Sequence, residues 1–381
     1  MASMNINIVL ISFFLLFLLN VSPILAQTNP IDRCWRKYPR WASNRQKLAT
    51  CSIGFAGRMT GNIGRGLQRY TVTNPSDDPI SPKKGTLRYG ATILQGKVWI
   101  DFQGDMLISL KSVLLIKSYT TIDGRGAKVE IAHGSGFMLK KANDVIIHGM
   151  HFHDIAPHSS GRNIMGASGN LVRLGKVDGD AVRMVGCSKI WIDHNKFYKS
   201  EDGLVDVTLE STNITISNNW FLDHDKVMLL GHDDKFFLDR KMKVTVAFNR
   251  FGPNTNQRCP RVRYGYAHVV NNLYDGWGIY AIGGSMNPKI RSEGNLFIAS
   301  KSGNKEVTWR GGVSKNGGRK WNWRSIDDKF INGAFFDVTG RGVEKPNYNR
   351  DQKFQVGKAD QVRALTKDAG ALKCSTRSKY C

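Results

Sequence analysis

The sequence predicts an all-β solenoid, a parallel β-helix, closed by short helices at its ends. Three observations predict it. Apolar, β-branched segments recur at a spacing near 23 residues. Each segment carries an asparagine and then an aromatic residue at one fixed register. Between about 90 and 300 no sustained 3.6-residue periodicity competes with them.

The segments are IWIDHNKF (190–197), ITISNNWF (214–221), VTVAFNRF (244–251), HVVNNLY (268–274) and EGNLF (293–297); VIIHGMHF (145–152) matches with Met150 in place of the asparagine. Phe197, Phe221, Phe251, Tyr274 and Phe297 follow at intervals of 24, 30, 23 and 23 residues. The 45 residues from Phe152 to Phe197 read as two coils. One β-branched strand per repeat, stacked on its equivalent in the next coil, is the signature of a solenoid. A β-propeller would need four strands per ~40–45 residues, a period not seen here. The recurrent asparagine is expected at a turn, because it tolerates left-handed backbone and its amide can reach the next coil.

At the ends, 39–51 and 358–372 read as short helices capping the solenoid. The charged stretches 231–243 and 301–324 read as excursions from the coils. No linker interrupts the chain, so 27–381 is expected to be one domain. Residues 8–19 form an uncharged apolar run too short for a bilayer, which needs about 20 residues. With Ser-Pro-Ile-Leu-Ala following, 1–26 reads as a secretory signal, although MASMNIN offers only the terminal amine as positive charge. Secretion permits disulfides, and Cys34 with Cys51 and Cys374 with Cys381 lie close enough in sequence to staple each terminus. Cys187 and Cys259 are left paired or free. No Cys-x-x-Cys spacing occurs, which argues against a structural zinc site.

The formal charge of +24 implies a polyanionic partner. Secretion favours an acidic polysaccharide over nucleic acid or membrane. Against that charge, four aspartates gather in two adjacent repeats: Asp178 and Asp180 in VDGDAV, Asp202 and Asp206 in SEDGLVDV. Residues two or four apart share a strand face, and 180 and 202 are about one coil apart, so both pairs would meet at the ~4.8 Å spacing of stacked strands. Either pair alone would be an ordinary Asp-Gly turn. Together they call for a cation, and hard oxygen ligands select calcium. Lys226 and then Arg258, Arg261 and Arg263 in QRCPRVRYG border this acidic patch. Such a surface suits a substrate with one carboxylate per sugar.

The texts WIDHNKF, EDGLVDVTLESTNITISNNWF, DKVMLLGHDDKF, KVTVAFNRFGP, QRCPRVRYGYAHVVNN, YAIGGSMNP and TTIDGRGAKVEI resemble plant pectate lyases, the family that includes certain pollen allergens. The resemblance runs over roughly 31–381. It implies a single-stranded right-handed parallel β-helix and calcium-dependent endo-cleavage of de-esterified pectin by β-elimination, giving 4,5-unsaturated oligogalacturonides. By it, the metal ligands fall on Asp180, Asp202 and Asp206 with Asp178 beside them, the substrate lysine on Lys226, and the Arg-x-Pro-x-x-Arg motif on Arg258, Pro260 and Arg263. It implies Arg258 as the base at C5 and Arg263 as a carboxylate grip. Free arginine holds its proton at ordinary pH, so a base of this kind points to an alkaline optimum. Cys259 stands where the family usually has Met. The protein is further expected to act as a monomer in the plant cell wall, with no nucleic-acid or membrane partner. Arg261 reads as a solvated or structural arginine, and His194 and His224 as hydrogen-bonded turn residues. Asn213-Ile214-Thr215 is a glycosylation pattern. Two other readings stay open: a β-helix polygalacturonase-type hydrolase, with the aspartates as acid and base, and a non-catalytic pectin-binding protein.

Overall fold

A computed structural model of the chain describes residues 28–312, 317–342 and 344–381. The apolar segment read as a signal lies outside the described residues. Three parallel sheets wind into a right-handed β-helix: among the described residues, one of ten strands from Leu67–Val72 to Trp323–Ile326, one of nine from Met106–Ile108 to Lys329–Ile331, and one of eight from Leu114–Ile116 to Thr308–Arg310. Each central coil therefore holds three short strands, as in Ser188–Asp193, Lys196–Ser200 and Val205–Thr208, where the sequence pattern indicated one. The first strand alone is long and β-branched enough to announce itself; the other two are shorter.

The aromatic register becomes a continuous interior stack. Ring centroids lie 4.9 Å apart for Phe152–Phe197, 5.2 Å for Phe197–Phe221, 5.1 Å for Phe221–Phe251, 4.8 Å for Phe251–Tyr274 and 4.4 Å for Tyr274–Phe297. Phe152 thus sits one coil from Phe197, not two. The extra residues leave the helix after Ile155 and form an antiparallel hairpin, Asn163–Met165 against Leu171–Arg173, closed by a His158–Val177 bridge.

The asparagines form a second ladder. Asn195, Asn219, Asn249 and Asn272 each donate Nδ2 to the Oδ1 of the next asparagine, at 3.0–3.1 Å, ending at Asn295, which donates to Asp328 Oδ1 at 3.0 Å. The left-handed residue is the one before each ladder asparagine: His194, Asn218, Phe248, Asn271 and Gly294, with φ from 52° to 61°. The ladder asparagine bends the chain by satisfying buried amides, and its neighbour carries the backbone turn.

The terminal segments do not close the ends. Pro30–Trp35 is an α-helix and Arg45–Thr50 a 3-10 helix, while the C-terminal helical turn is confined to Ala359–Gln361 and Val362–Leu365. Their apolar residues, Ile31, Trp35, Trp41, Leu48 and Leu365, pack with Trp99, Ile146, Trp191 and Phe248 on the outside of the ten-stranded sheet. Trp99, Ile146 and Trp191 point away from the interior yet are at most 2% exposed, because these segments cover them. The N-terminal end is covered instead by Leu87–Thr92, whose Leu87 and Ala91 join the main core. The stretch 231–243 is an excursion holding the 3-10 helix Phe237–Lys241, but within 301–324 Thr308–Arg310 is a regular strand of the eight-stranded sheet. Cys34–Cys51 and Cys374–Cys381 are disulfides, and Cys187 and Cys259 are separate buried thiols. No helix among the described residues is long and apolar enough to cross a membrane.

Candidate active site

The eight-stranded sheet aligns Arg183, Asp206, Leu229, Arg261, Gly283 and Trp309 in one row, one residue per coil. Val182, Val205, Leu230 and Val262 beside them are fully buried in the core, so period-two alternation turns the row outward. The candidate site is built on this row and on the turn that precedes each of its strands.

Asp180 and Asp206 come together around Gly203. The Gly203 N–H donates to Asp180 Oδ1 at 2.9 Å, and a Cβ on Gly203 would sit 2.5 Å from Asp206 Oδ1 and 2.9 Å from Asp180 Oδ1. Both carboxylates are buried, 3% and 7% exposed. Burial raises the Asp180 carboxyl to about 6, and the charges of Asp202 and Asp178 push the same way against Arg183. Asp206 is raised well above the usual carboxylate range, first by burial and then by Asp180 and Asp202. Two buried carboxylates of this kind need a cation or a proton between them. The glycine leaves the space, and an all-carboxylate donor set suits a hard dication such as calcium.

Asp202 and Asp178 stand differently. Asp202 Oδ1 accepts from Lys226 Nζ at 2.9 Å, and its backbone oxygen is 2.6 Å from His224 Nε2. Asp178 is exposed and 3.4 Å from Arg183 NH1, which also lies 3.8 Å from Asp180. Three of the sequence-derived acids therefore share one locus with Lys226 at its edge, and Asp178 sits on the rim. Arg183, which the sequence reading passed over, partly neutralises this rim. Its place in VDGDAVR, three residues after Asp180, was the available signal.

The three arginines of QRCPRVRYG have three different environments. Arg258 has left-handed backbone, φ 60°, its carbonyl accepts from Met228 N at 2.7 Å, and its Nε is buried without a hydrogen-bond partner. Its charge is among those felt by Asp206. Arg261 is half-buried with its guanidinium 5.2 Å from the Trp309 ring, which stacks at 5.1 Å on Tyr280. It is therefore a packed member of the row. Arg263 is committed: Nε to Asp234 Oδ1 at 3.0 Å, NH1 to the carbonyls of Gly231 and His232 at 3.2 and 3.1 Å.

The histidines conform to structural roles. His194 is buried, with Nε2 2.7 Å from Asp32 Oδ1 and Nδ1 3.1 Å from Gly370 O, which ties both termini to the coil. His224 braces the Asp202 turn. In the glycosylation pattern Thr215 is fully buried, donating to Ile53 O and accepting from Ala56 N.

The family model described as pectate lyase matches residues 46–322. The chain is 49% identical over 356 residues to a Cryptomeria japonica protein named pectate lyase 1, covering 93% of this chain and 94% of that one. It is 49% identical over 346 residues to putative pectate lyase 2 of Arabidopsis thaliana, covering 91% and 89%. The crystal structure of Jun a 1, the major allergen from cedar pollen, superposes with a TM-score of 0.87 at 48% identity, covering 91% of this chain and all of that one. The chain belongs to the pectate lyase family.

Proposed function

We propose that this protein is a secreted, monomeric enzyme of the cell wall that cleaves de-esterified pectin, polygalacturonate, internally by calcium-dependent β-elimination, leaving 4,5-unsaturated oligogalacturonides. Residues 27–381 are proposed to act as one domain after loss of 1–26, without nucleic-acid or membrane partners. The observation that carries the reading is the buried Asp180–Asp206 pair around Gly203, with Lys226 and Arg258 on the two coils that follow.

Asp180, Asp202 and Asp206, with Asp178 at the rim, would hold calcium, which supplies positive charge against the C6 carboxylate of the sugar as negative charge builds there. Lys226 turns from Asp202 to a substrate carboxylate. Arg263 is fixed by Asp234 and two carbonyls through Nε and NH1, which leaves the grip on a neighbouring carboxylate to NH2. Arg258 removes the C5 proton; the electron pair forms the C4–C5 double bond as the C4–oxygen bond breaks, and the departing glycosidic oxygen takes up a proton from water. Arg258 and Arg261 both carry a buried Nε without a hydrogen-bond partner; Arg258 is the one whose charge reaches Asp206, while Arg261 packs against Trp309.

Polygalacturonate incubated with the enzyme should yield an ultraviolet-absorbing unsaturated product that chelator abolishes and calcium restores. Reducing ends without that absorbance would establish a hydrolase, and neither signal would establish a binder. Faster cleavage of highly esterified pectin would overturn the substrate assignment, since a methyl ester is a poor calcium ligand.

A further inference from the structure

The outer face of the nine-stranded sheet carries a second cluster of ligand-type side chains, unrelated to the aspartates. Val129–Ala132 pairs in parallel with Met150–Ile155, setting Glu130 beside His151 and Ala132 beside His153. His133 follows the first strand, and its backbone N–H donates to Asp154 O at 3.1 Å, locking the two coils together at that point. Among the described residues, His133, His153 and Asp154 each bring a ligand atom within 4.8 Å of the other two.

His153 is the buried member, 7% exposed. Its ring stacks on Tyr198 at 4.7 Å and 6°, and meets His133 edge-on at 5.6 Å. Nδ1 lies 2.6 Å from Asp154 Oδ2. Nε2 is buried without a formed hydrogen bond, 3.4 Å from Glu130 Oε1, and Glu130 is itself held by Lys128 at 3.0 Å. A carboxylate at one imidazole nitrogen with further ligands at the other is how metal-binding histidines are oriented.

We propose that His133, His153 and Asp154 form a site for a borderline transition-metal dication of the Zn2+ kind, with Glu130 orienting His153. Two imidazoles and one carboxylate favour such an ion over calcium, which takes oxygen ligands. Three protein ligands leave a fourth position to water. The site joins two successive coils at the root of the 156–177 excursion, where Ala156 N donates to Gly134 O at 2.7 Å. An ion there would pin the chain where it leaves the solenoid, on the path to Asp178 and Asp180.

Calorimetric titration of the chelator-treated full chain with ZnCl2 tests this. One ion per chain is expected, not displaced by excess calcium. Because second-shell changes alone cost ~10–100-fold in affinity, His133→Ala and Asp154→Asn should each weaken binding at least ~10-fold. Both residues are exposed but touch the buried His153 ring, so each variant's own zinc-free thermal midpoint is its baseline; zinc should raise the midpoint of the wild type and leave those of these two variants unchanged. Asp206→Asn should bind zinc normally. Absence of saturable binding, or equal binding by His133→Ala, would overturn the proposal. Loss of binding in Asp206→Asn would instead place the zinc among the aspartates, and the proposal would fall.

Discussion

Lys226 Nζ donates to Asp202 Oδ1 at 2.9 Å across one coil, so the proposed substrate cation and a proposed metal ligand neutralise each other in the free protein. Both side chains are about a third exposed, and such pairs are worth ~0.2–1 kcal/mol. Lys226→Ala should therefore tighten calcium binding in the absence of substrate by ~2–5-fold while raising KM for polygalacturonate. Calcium titration of the free variant beside its steady-state kinetics separates the two effects. Weaker calcium binding would show that the pair holds Asp202 in place and does not compete for it.

Gly203→Ala should raise the half-saturating calcium concentration by about tenfold or more. The added methyl meets Asp206 Oδ1 and Asp180 Oδ1 inside 3 Å, and overpacking of this kind costs about 1–3 kcal/mol, where ~1.4 kcal/mol is a factor of ten. Activity measured across calcium concentrations checks this, and recovery of kcat at saturating calcium would show that the geometry beyond the two carboxylates survives.

Arg258→Lys keeps the charge and loses the guanidinium. A fall in kcat of at least ~10²-fold is expected, the low end for a general base, with calcium affinity nearly unchanged. Arg263→Lys should act differently: it loses contacts to Asp234, Gly231 and His232, so KM should rise together with a lowered thermal midpoint. Equal small losses in both, relieved at low salt, would mean that the arginines serve only as diffuse positive charge.

The end of the asparagine ladder supplies a pH test independent of metal. Asp328 accepts from Asn295 N and Nδ2 and from the hydroxyls of Ser292 and Ser325, yet burial raises its carboxyl to about 6. A carboxyl raised in the folded state stabilises fully below its unfolded value, near 3.9, and that stability is lost as pH rises through 6. Asp328→Asn keeps the ladder's shape without the titration. Its thermal midpoint should fall less than the wild type's between about pH 4 and pH 7. Parallel curves would show that Asp328 is ionised throughout.

The sequence by itself determined the repeat, the fold class, the two registers and the pairing of acidic segments one coil apart. Those features are local: side-chain alternation and a β-branched run with its asparagine and aromatic are written into eight residues. The ladders from Asn195 to Asn295 and from Phe197 to Phe297 follow directly, because identical residues at one register stack once the coils close. Tertiary structure alone decided the rest. Three strands per coil, the single coil between Phe152 and Phe197, and the terminal segments lying along the flank depend on which distant surfaces meet. So do the finer features of the site. Asp202 turns to Lys226, Arg263 is committed to Asp234 while Arg258 keeps an unpartnered Nε, and His133 reaches His153 and Asp154 only because two coils stack. Sequence spacing specifies which residues share a face; the energetic choice of partner is made between side chains that neighbour one another only after the solenoid has closed.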